Sequence, residues 1–299
     1  MSSTDVPQGA PAQESEGCNA CNEKQGSSKC DSCPSKGKAQ PMRDEDIMKR
    51  LAKVRHRIAI VSGKGGVGKS TIAASLAVSL SMMGYKVGVL DADVSGPNIP
   101  HLLGVEGHKL MGSEEGIEPA VSRNGVKVVS SEMVLEKSDT PMLWRGPMRT
   151  TLVRQFVADV NWGTLDYLLV DLPPGTGDEP MSVMQMIPLD GVIIVSTSSN
   201  LSVLDVSKII NMARNLEVPI LGLIENMSYL ACPDCCKKIR LFGESKVEKL
   251  AKKYGVPMLG EVPLDPLNAG IDELPAEGKS LIIDAVRIIA GDIVKVVEK

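Results

Sequence analysis

The fold of this chain is decided by the stretch Gly63-Lys64-Gly65-Gly66-Val67-Gly68-Lys69-Ser70. The stretch matches the pattern G-x-x-x-x-G-K-[ST], follows the apolar run Ile58–Val61 and precedes a helical run that begins at Thr71. A strand, a glycine-rich loop and a helix in this order predict a phosphate-binding loop, because the glycines let backbone N–H groups surround phosphate oxygens at the helix N-terminus. The sequence therefore predicts a nucleotide-binding protein of the P-loop type.

The polar side chains of this loop each have an expected role. Lys69 is expected to reach the β- and γ-phosphates, and Ser70 is expected to ligate Mg²⁺. Lys64 is a second lysine that the basic pattern does not require. It is either a solvated surface charge or a further cation for phosphate, placed by the loop or delivered to the nucleotide of a partner subunit. Lys64 and Lys69 are predicted catalytic residues, and the predicted ATP-binding residues of the loop are Gly63, Lys64, Gly65, Gly66, Val67, Gly68, Lys69, Ser70 and Thr71.

Aspartates that follow apolar runs fit the same chemistry. Asp171 ends the run Leu168–Val170, and a carboxylate at a strand end can hold Mg²⁺ through its water shell. Asp91 and Asp93 follow another such run; Asp91 is expected to be structural, and Asp93 to orient the attacking water as the third catalytic residue. The alternative role for an isolated aspartate at such a place is a turn or a helix cap.

Short apolar runs rich in Val and Ile recur along the chain from about residue 55. They are Ile58–Val61, Val87–Leu90, Val126–Val129, Tyr167–Val170, Val192–Val195 and Ile220–Ile224. Continuous apolar runs are typical of strands that are buried on both faces of a parallel sheet. Helical spacing separates several of them, at Thr71–Met83, Leu201–Leu216 and Lys246–Tyr254, and Leu281–Val297 is predicted to be a C-terminal amphipathic helix packed on the core. The pattern predicts an α/β fold with a doubly wound, mostly parallel sheet.

Composition excludes several classes of protein. The chain has 299 residues, a formal net charge of −4 and no basic block, which argues against a nucleic-acid partner. Its longest uncharged stretch, Ser70–Tyr85, is 16 residues long and too short to span a bilayer. The N-terminus lacks the basic and apolar segments of a secretory signal. We therefore expect a cytoplasmic protein with no membrane partner.

The first 45 residues differ from the rest. They are polar and poor in aliphatic residues, so we expect a mostly disordered tail at 1–45, followed by a P-loop ATPase domain at 46–299. The tail carries the spacing Cys18-x₂-Cys21-x₈-Cys30-x₂-Cys33, a complete set of four metal ligands. This set predicts an iron–sulfur cluster or a zinc site, although the gap between the pairs is shorter than in zinc ribbons.

Several motifs together identify a family. Lys64-Gly65-Gly66-Val67-Gly68-Lys69-Ser70 resembles the deviant Walker A motif of the dimeric ATPases that include nitrogenase iron protein, the Min and Par partitioning ATPases and the Mrp/ApbC-type iron–sulfur carriers. The motifs that resemble the Mrp/ApbC type are Asp91-Ala92-Asp93-Val94-Ser95-Gly96-Pro97-Asn98, Trp144-Arg145-Gly146-Pro147-Met148, Asp171-Leu172-Pro173-Pro174-Gly175-Thr176-Gly177-Asp178, Glu225-Asn226-Met227-Ser228 and Cys232-Pro233-Asp234-Cys235. The resemblance covers roughly residues 45–299.

The resemblance implies an ATP-hydrolysing homodimer that binds a labile [4Fe–4S] cluster and passes it to apoproteins. It implies that Lys64 acts across the dimer, that Asp93 belongs to the first switch region and Asp171 to the Walker B motif. It also implies that Asn226 contacts adenine, and that Cys232 and Cys235 ligate the cluster. A subset of the family carries a four-cysteine N-terminal tail, but with a spacing that differs from the one in this chain.

The pair Cys232 and Cys235 can also be interpreted from geometry. A [4Fe–4S] cluster or a structural zinc ion generally takes four protein ligands, and one Cys-x-x-Cys supplies two. A two-fold dimer axis would bring two such pairs face to face. A thioredoxin-like dithiol and one half of a zinc site are the alternatives, and the neighbouring Cys236 has no assigned role.

The leading interpretation is an ATP-dependent iron–sulfur cluster carrier. A partitioning or positioning ATPase is a second interpretation, but it would need no cysteine pair. An ATP-coupled electron-transfer protein is a third, but nitrogenase iron protein uses a single-cysteine arrangement at each site. Cys232 and Cys235 favour the carrier over both.

Overall fold

A computed structural model describes residues 44–134, 146–232, 235, 237–240, 243–265 and 280–298. All of them belong to one of the chain's two units, Pro41–Lys299. Of the predicted tail, only Asp44 and Glu45 are described, as the first residues of a helix. The expected disorder and the four tail cysteines lie outside the described residues, so both stay predictions.

The described strands and helices alternate along most of the chain. The strands are β1 (Val54–Ser62), β2 (Val87–Asp91), β3 (Met111–Ser113), β4 (Gly116–Glu118), β5 (Ala120–Val121), β6 (Lys127–Ser130), β7 (Leu165–Asp171), β8 (Gly191–Ser196), β9 (Ile220–Glu225), β10 (Leu230–Ala231), β11 (Lys238–Ile239) and β12 (Met258–Glu261). The helices are α1 (Asp44–Leu51), α2 (Lys69–Met82), α3 (Ile99–Leu102), α4 (Gly146–Asp159), α5 (Asp178–Met186), α6 (Asn200–Asn215), α7 (Lys246–Tyr254) and α8 (Leu281–Val297), with a 3₁₀ turn at Ser131–Val134.

The central sheet confirms the predicted fold class. Its strand order is β12-β9-β8-β1-β7-β2-β6-β5, and every neighbouring pair is parallel except β5 with β6. The six predicted apolar runs form the six adjacent strands from β9 to β6. β1 shows why these runs are continuous: Ile58 and Ile60 pack on one face of the sheet, and Ala59 and Val61 pack on the other.

Helices cover both faces of the sheet. On one face α2, α3 and α8 enclose a core with Ile58 and Ile60. On the other face α1, α4, α5, α6 and α7 enclose a second core. The uncharged stretch at Ser70–Tyr85 is explained by this arrangement, because α2 is buried over most of its length between the sheet and α8. Within the described residues, no helix is long and apolar enough to cross a membrane.

The carboxyl ends of the parallel strands meet at one edge of the sheet. Asp91 at the end of β2 lies beside Asp171 at the end of β7, and Asp171 also pairs in register with Ile60 of β1. The glycine-rich loop follows β1 directly. The fold therefore gathers the loop and the two strand-end aspartates at the edge where open α/β sheets bind ligands.

Candidate functional site

The glycine-rich loop has the conformation that its sequence predicts. Gly66 and Gly68 have φ angles of 78° and 79°, a left-handed conformation that favours glycine. A Cβ atom at Gly68 would lie 2.2 Å from Nδ2 of Asn226. The same Nδ2 donates a hydrogen bond of 2.9 Å to the Val67 carbonyl, so the residue that follows β9 supports the backbone of the loop.

The loop borders an open cavity of about 400 Å³. Of the predicted site residues, Lys64, Gly65, Gly66, Gly68, Lys69, Ser70, Thr71 and Asp93 line it. Val67 and Asn226 are buried. The structure therefore places Asn226 against the loop backbone, and its predicted contact with adenine stays untested.

Lys69, Ser70 and Asp171 form the polar centre of the site. Lys69 Nζ lies 2.7 Å from Oδ1 of Asp171, and Ser70 Oγ donates a hydrogen bond of 2.5 Å to Oδ2. Both Lys69 and Asp171 are buried. Burial raises the pKa of Asp171, and the Lys69 ammonium opposes that rise. A hydroxyl and a carboxylate that meet in this way offer the hard oxygen ligands that Mg²⁺ prefers, so these residues fit the predicted ion.

Asp91 and Asp93 have different surroundings. Asp91 is fully buried and accepts hydrogen bonds from the backbone N–H groups of Asp93, Asn98 and Ile99. It organises the loop that follows β2, the structural role expected of it. Burial, followed by the charge of Asp171, raises its pKa. Asp93 lines the cavity, with Oδ2 4.0 Å from Nζ of Lys69.

Lys64 has an ion-pair partner within its own chain. Its Nζ lies 3.5 Å from Oδ2 of Asp205 on α6, and the side chain is 38% exposed. Lys64 also lines the cavity. The structure therefore shows a partly exposed lysine at the rim of the site, and action across a dimer stays a prediction.

Cys232 and Cys235 lie on the part of the chain between the end of β9 and the start of α7, the cysteine segment. β10 and β11 pair antiparallel within it, and the Cys232 N–H donates a hydrogen bond of 3.0 Å to the Lys237 carbonyl. Cys232 is half-buried and Cys235 is exposed; Cys236 lies outside the described residues. Within the described part of the chain, no group of three or more His, Cys, Asp or Glu could hold a metal ion.

The cysteine segment is anchored at its base. Arg240 makes two hydrogen bonds to the Glu261 carboxylate, at 2.8 and 3.1 Å, and one of 3.3 Å to Ser228 Oγ. Glu225, which is buried at the end of β9, accepts hydrogen bonds from the hydroxyls of Ser198 and Ser245. Glu225 therefore links the two ends of the cysteine segment through its bond to Ser245. Its neighbour Asn226 contacts the glycine-rich loop.

Some lining residues were not predicted. They are Ser62, Asn98, His101, Leu102, Pro174 and Met227. His101 lies on α3 at the cavity, and His56 lies on β1 with its ring 5.1 Å from that of Tyr167. Asn98 and Met227 belong to the family motifs Asp91–Asn98 and Glu225–Ser228, so the resemblance could have indicated both.

A family model and a related sequence both match most of this chain. The family model described as ParA, NUBPL iron-transfer P-loop NTPase, matches residues 53–297. A protein of Methanocaldococcus jannaschii named iron–sulfur cluster carrier protein is 52% identical over 244 residues, which cover 79% of this chain and 84% of that protein.

Solved structures show the same fold. The nucleotide-binding protein of Archaeoglobus fulgidus, in complex with ADP and with cobalt, is 46% identical, with a TM-score of 0.69 over 77% of this chain and 90% of that one. The cell division ATPase MinD of Pyrococcus furiosus is 26% identical, with a TM-score of 0.58 over 81% of this chain and 99% of that one.

Proposed function

This chain belongs to the NUBPL iron-transfer P-loop NTPases of the ParA family, and from that membership we propose that it is an ATP-hydrolysing iron–sulfur cluster carrier. It binds a [4Fe–4S] cluster at a homodimer interface and transfers the cluster to apoproteins. The observation that carries this proposal is that one short connection joins the nucleotide cavity to a surface cysteine pair. Met227 lines the cavity, and Cys232 follows it on the same segment.

ATP binds in the cavity beside the glycine-rich loop. Lys69 contacts the β- and γ-phosphates, Ser70 and Asp171 hold Mg²⁺, and Asp93 orients the attacking water. When bound, Mg²⁺ neutralises charge that develops on the phosphate oxygens. Lys69 is already buried, so little further desolvation is needed when its ammonium exchanges Asp171 for the charge on the phosphates. Lys64 supplies a further cation to the partner's nucleotide after leaving Asp205.

The cluster is cargo, and a dimer completes its ligands. One chain offers Cys232 and Cys235, and two copies about a two-fold axis offer four thiolates. The exposure of Cys235 and the partial exposure of Cys232 support this arrangement, because ligands shared between chains must reach a surface. The four tail cysteines, Cys18, Cys21, Cys30 and Cys33, hold a second cluster or zinc.

Nucleotide state controls how firmly the cluster is held. Asn226 is bonded to the loop that receives the phosphates, and the cysteine segment begins a few residues later. A shift of the loop on ATP binding therefore acts on the base of the cysteine segment. Such control requires the dimer arrangement with ATP and the one without it to bind the cluster with different free energies. Cysteines are kept reduced in the cytoplasm, which is the proposed location.

The test measures iron and acid-labile sulfide after anaerobic reconstitution of the full chain with the four tail cysteines replaced by serine. About four iron and four sulfide per dimer are expected, and Cys232→Ala with Cys235→Ala should remove them while leaving ADP binding unchanged. Transfer is then followed as recovery of activity by an apo [4Fe–4S] enzyme, with and without ATP. Zinc alone, or a cluster that persists in the double variant, would refute the interface assignment.

A further inference from the structure

Arg149 on α4 connects two loops of the nucleotide site that are distant in sequence. Its Nη1 donates hydrogen bonds of 2.7 Å to Ser95 Oγ and 2.9 Å to Glu179 Oε1. Ser95 belongs to the loop after β2, and Glu179 lies in the first turn of α5, after the loop that follows β7. One guanidinium nitrogen therefore bonds both to the loop after β2 and to the helix that ends the loop after β7.

The contact with Ser95 continues to the reacting centre. The Gly96 N–H donates a hydrogen bond of 3.3 Å to the Asp93 carbonyl, and the backbone N–H groups of Ser95 and Gly96 oppose the rise in the pKa of the Asp93 carboxyl that burial causes. Asp93 in turn lies 4.0 Å from Lys69 Nζ. Arg149 thus supports the carboxylate that we assign to the attacking water, through a single intervening residue.

The contact with Glu179 reaches the other side of the cavity. The loop between Asp171 and α5 contributes Pro174 to the cavity wall. Because α5 begins at Asp178, the position of Glu179 determines where this loop ends. The loops that carry Asp93 and Asp171 are thus joined outside the cavity by the same side chain.

The environment of Arg149 also indicates a specific role. Its side chain is 27% exposed, and its Nε is buried with no hydrogen-bond partner among the residues that the structure describes. A buried donor without a partner costs free energy, and the planar guanidinium can still form a further bond in its fork geometry. An arginine held in this way is more than a solvated surface charge.

We propose that Arg149 is a positioning residue for ATP hydrolysis, which fixes the loop of Asp93 relative to the loop of Asp171 so that both close on the nucleotide together. The inference rests on the proposed ATPase function. Because Arg149 does not line the cavity, it acts on the alignment of the attacking water and leaves ground-state binding of nucleotide largely unchanged.

The test compares Arg149→Ala and Arg149→Lys with the full wild-type chain. For Arg149→Ala we expect kcat to fall about tenfold or more, while KM for Mg·ATP and Kd for ADP change by less than about threefold. Lysine restores the charge and has one nitrogen that can donate to both Ser95 and Glu179, although its side chain is shorter, so partial recovery of kcat is expected. Arg55→Ala is the matched control, since Arg55 pairs with Glu298 near the amino end of β1, and it should leave kcat unchanged.

A double-mutant cycle separates coupling from simple loss of stability. Ser95→Ala and Glu179→Gln should each lower kcat in the wild-type chain, and both should have little further effect once Arg149 is alanine. Equal effects in both backgrounds, or an unchanged kcat in Arg149→Ala, would overturn this inference while the proposed function stands. Absence of ATP hydrolysis by the wild-type chain would overturn both.

Discussion

The buried pair of Lys69 and Asp171 predicts a large and specific effect on the stability of the nucleotide-free protein. Lys69→Met keeps the length of the side chain and removes its charge, which leaves the Asp171 carboxylate buried beside Asp91 without its nearest cation. Removing one member of a buried ion pair costs about 3–5 kcal/mol. For a domain of this size, we expect the Tm to fall by about 10 °C.

The companion variant tests whether the pair itself is responsible. Asp171→Asn in the Lys69→Met background removes the stranded charge and keeps an oxygen that accepts the hydrogen bond from Ser70. We expect the double variant to be more stable than the sum of the two single effects predicts, by about 2 kcal/mol. Lys64→Met is the control on the same loop. Its lysine is partly exposed, and its pair with Asp205 should contribute less than about 1 kcal/mol.

The measurement is thermal unfolding by circular dichroism of nucleotide-free protein, repeated at two scan rates to detect irreversibility. Strict additivity of the two single variants would show that Lys69 and Asp171 do not stabilise each other. A Lys64→Met effect as large as that of Lys69→Met would show that loss of any loop lysine has the same consequence. Either result would refute the reasoning from burial.

Three further predictions concern other parts of the fold. Burial lowers the pKa of His56 in the folded state, so protonation of its imidazole below about pH 6.5 destabilises the folded state. His56→Phe should therefore reduce the loss of Tm between pH 7 and pH 5. Equal losses of Tm in the wild-type chain and the variant would contradict this. Ile293→Ala removes a fully buried side chain of α8 and should lower the free energy of unfolding in urea by about 2–5 kcal/mol; a change below about 1 kcal/mol would mean that α8 is not part of the core. Gly68→Ala places a Cβ against Asn226 at a left-handed φ and should weaken ADP binding, measured by calorimetry, about tenfold or more; an unchanged Kd would mean that the loop conformation does not matter.

The centre of the sheet was predictable from sequence because burial on both faces demands continuous aliphatic runs. Strands at the edge of the sheet or outside it are not buried on both faces, so their sequences need no continuous aliphatic run. β12 has only four residues, all of them half-buried, and the hairpin strand β3 is exposed throughout. The sequence predicts that α8 is amphipathic, and packing on α2 and β12 selects which residues are buried: Ile283 and Ala290 are buried, and Val296 is 49% exposed.

The sequence predicts those site residues that lie at or directly after the end of a strand. The loop residues and Asp171 have positions fixed by the register of β1 and β7. His101, Met227 and Arg149 gain their roles from chain segments that return to the site after a turn. Met227 has a φ of 53°, a local conformation that no periodic pattern indicates.

The way in which Glu225 closes the cysteine segment has a consequence for how this protein can change over evolutionary time. The two ends of the segment meet where Ser245 bonds to Glu225, and α7 begins immediately afterwards. Because the ends of the cysteine segment are already joined, the residues between them can change in number or sequence without moving β9 or α7. We therefore expect the part of the segment that carries Cys232 and Cys235 to tolerate changes of sequence and length better than its base, where Glu225, Asn226 and Arg240 connect it to the sheet and the glycine-rich loop.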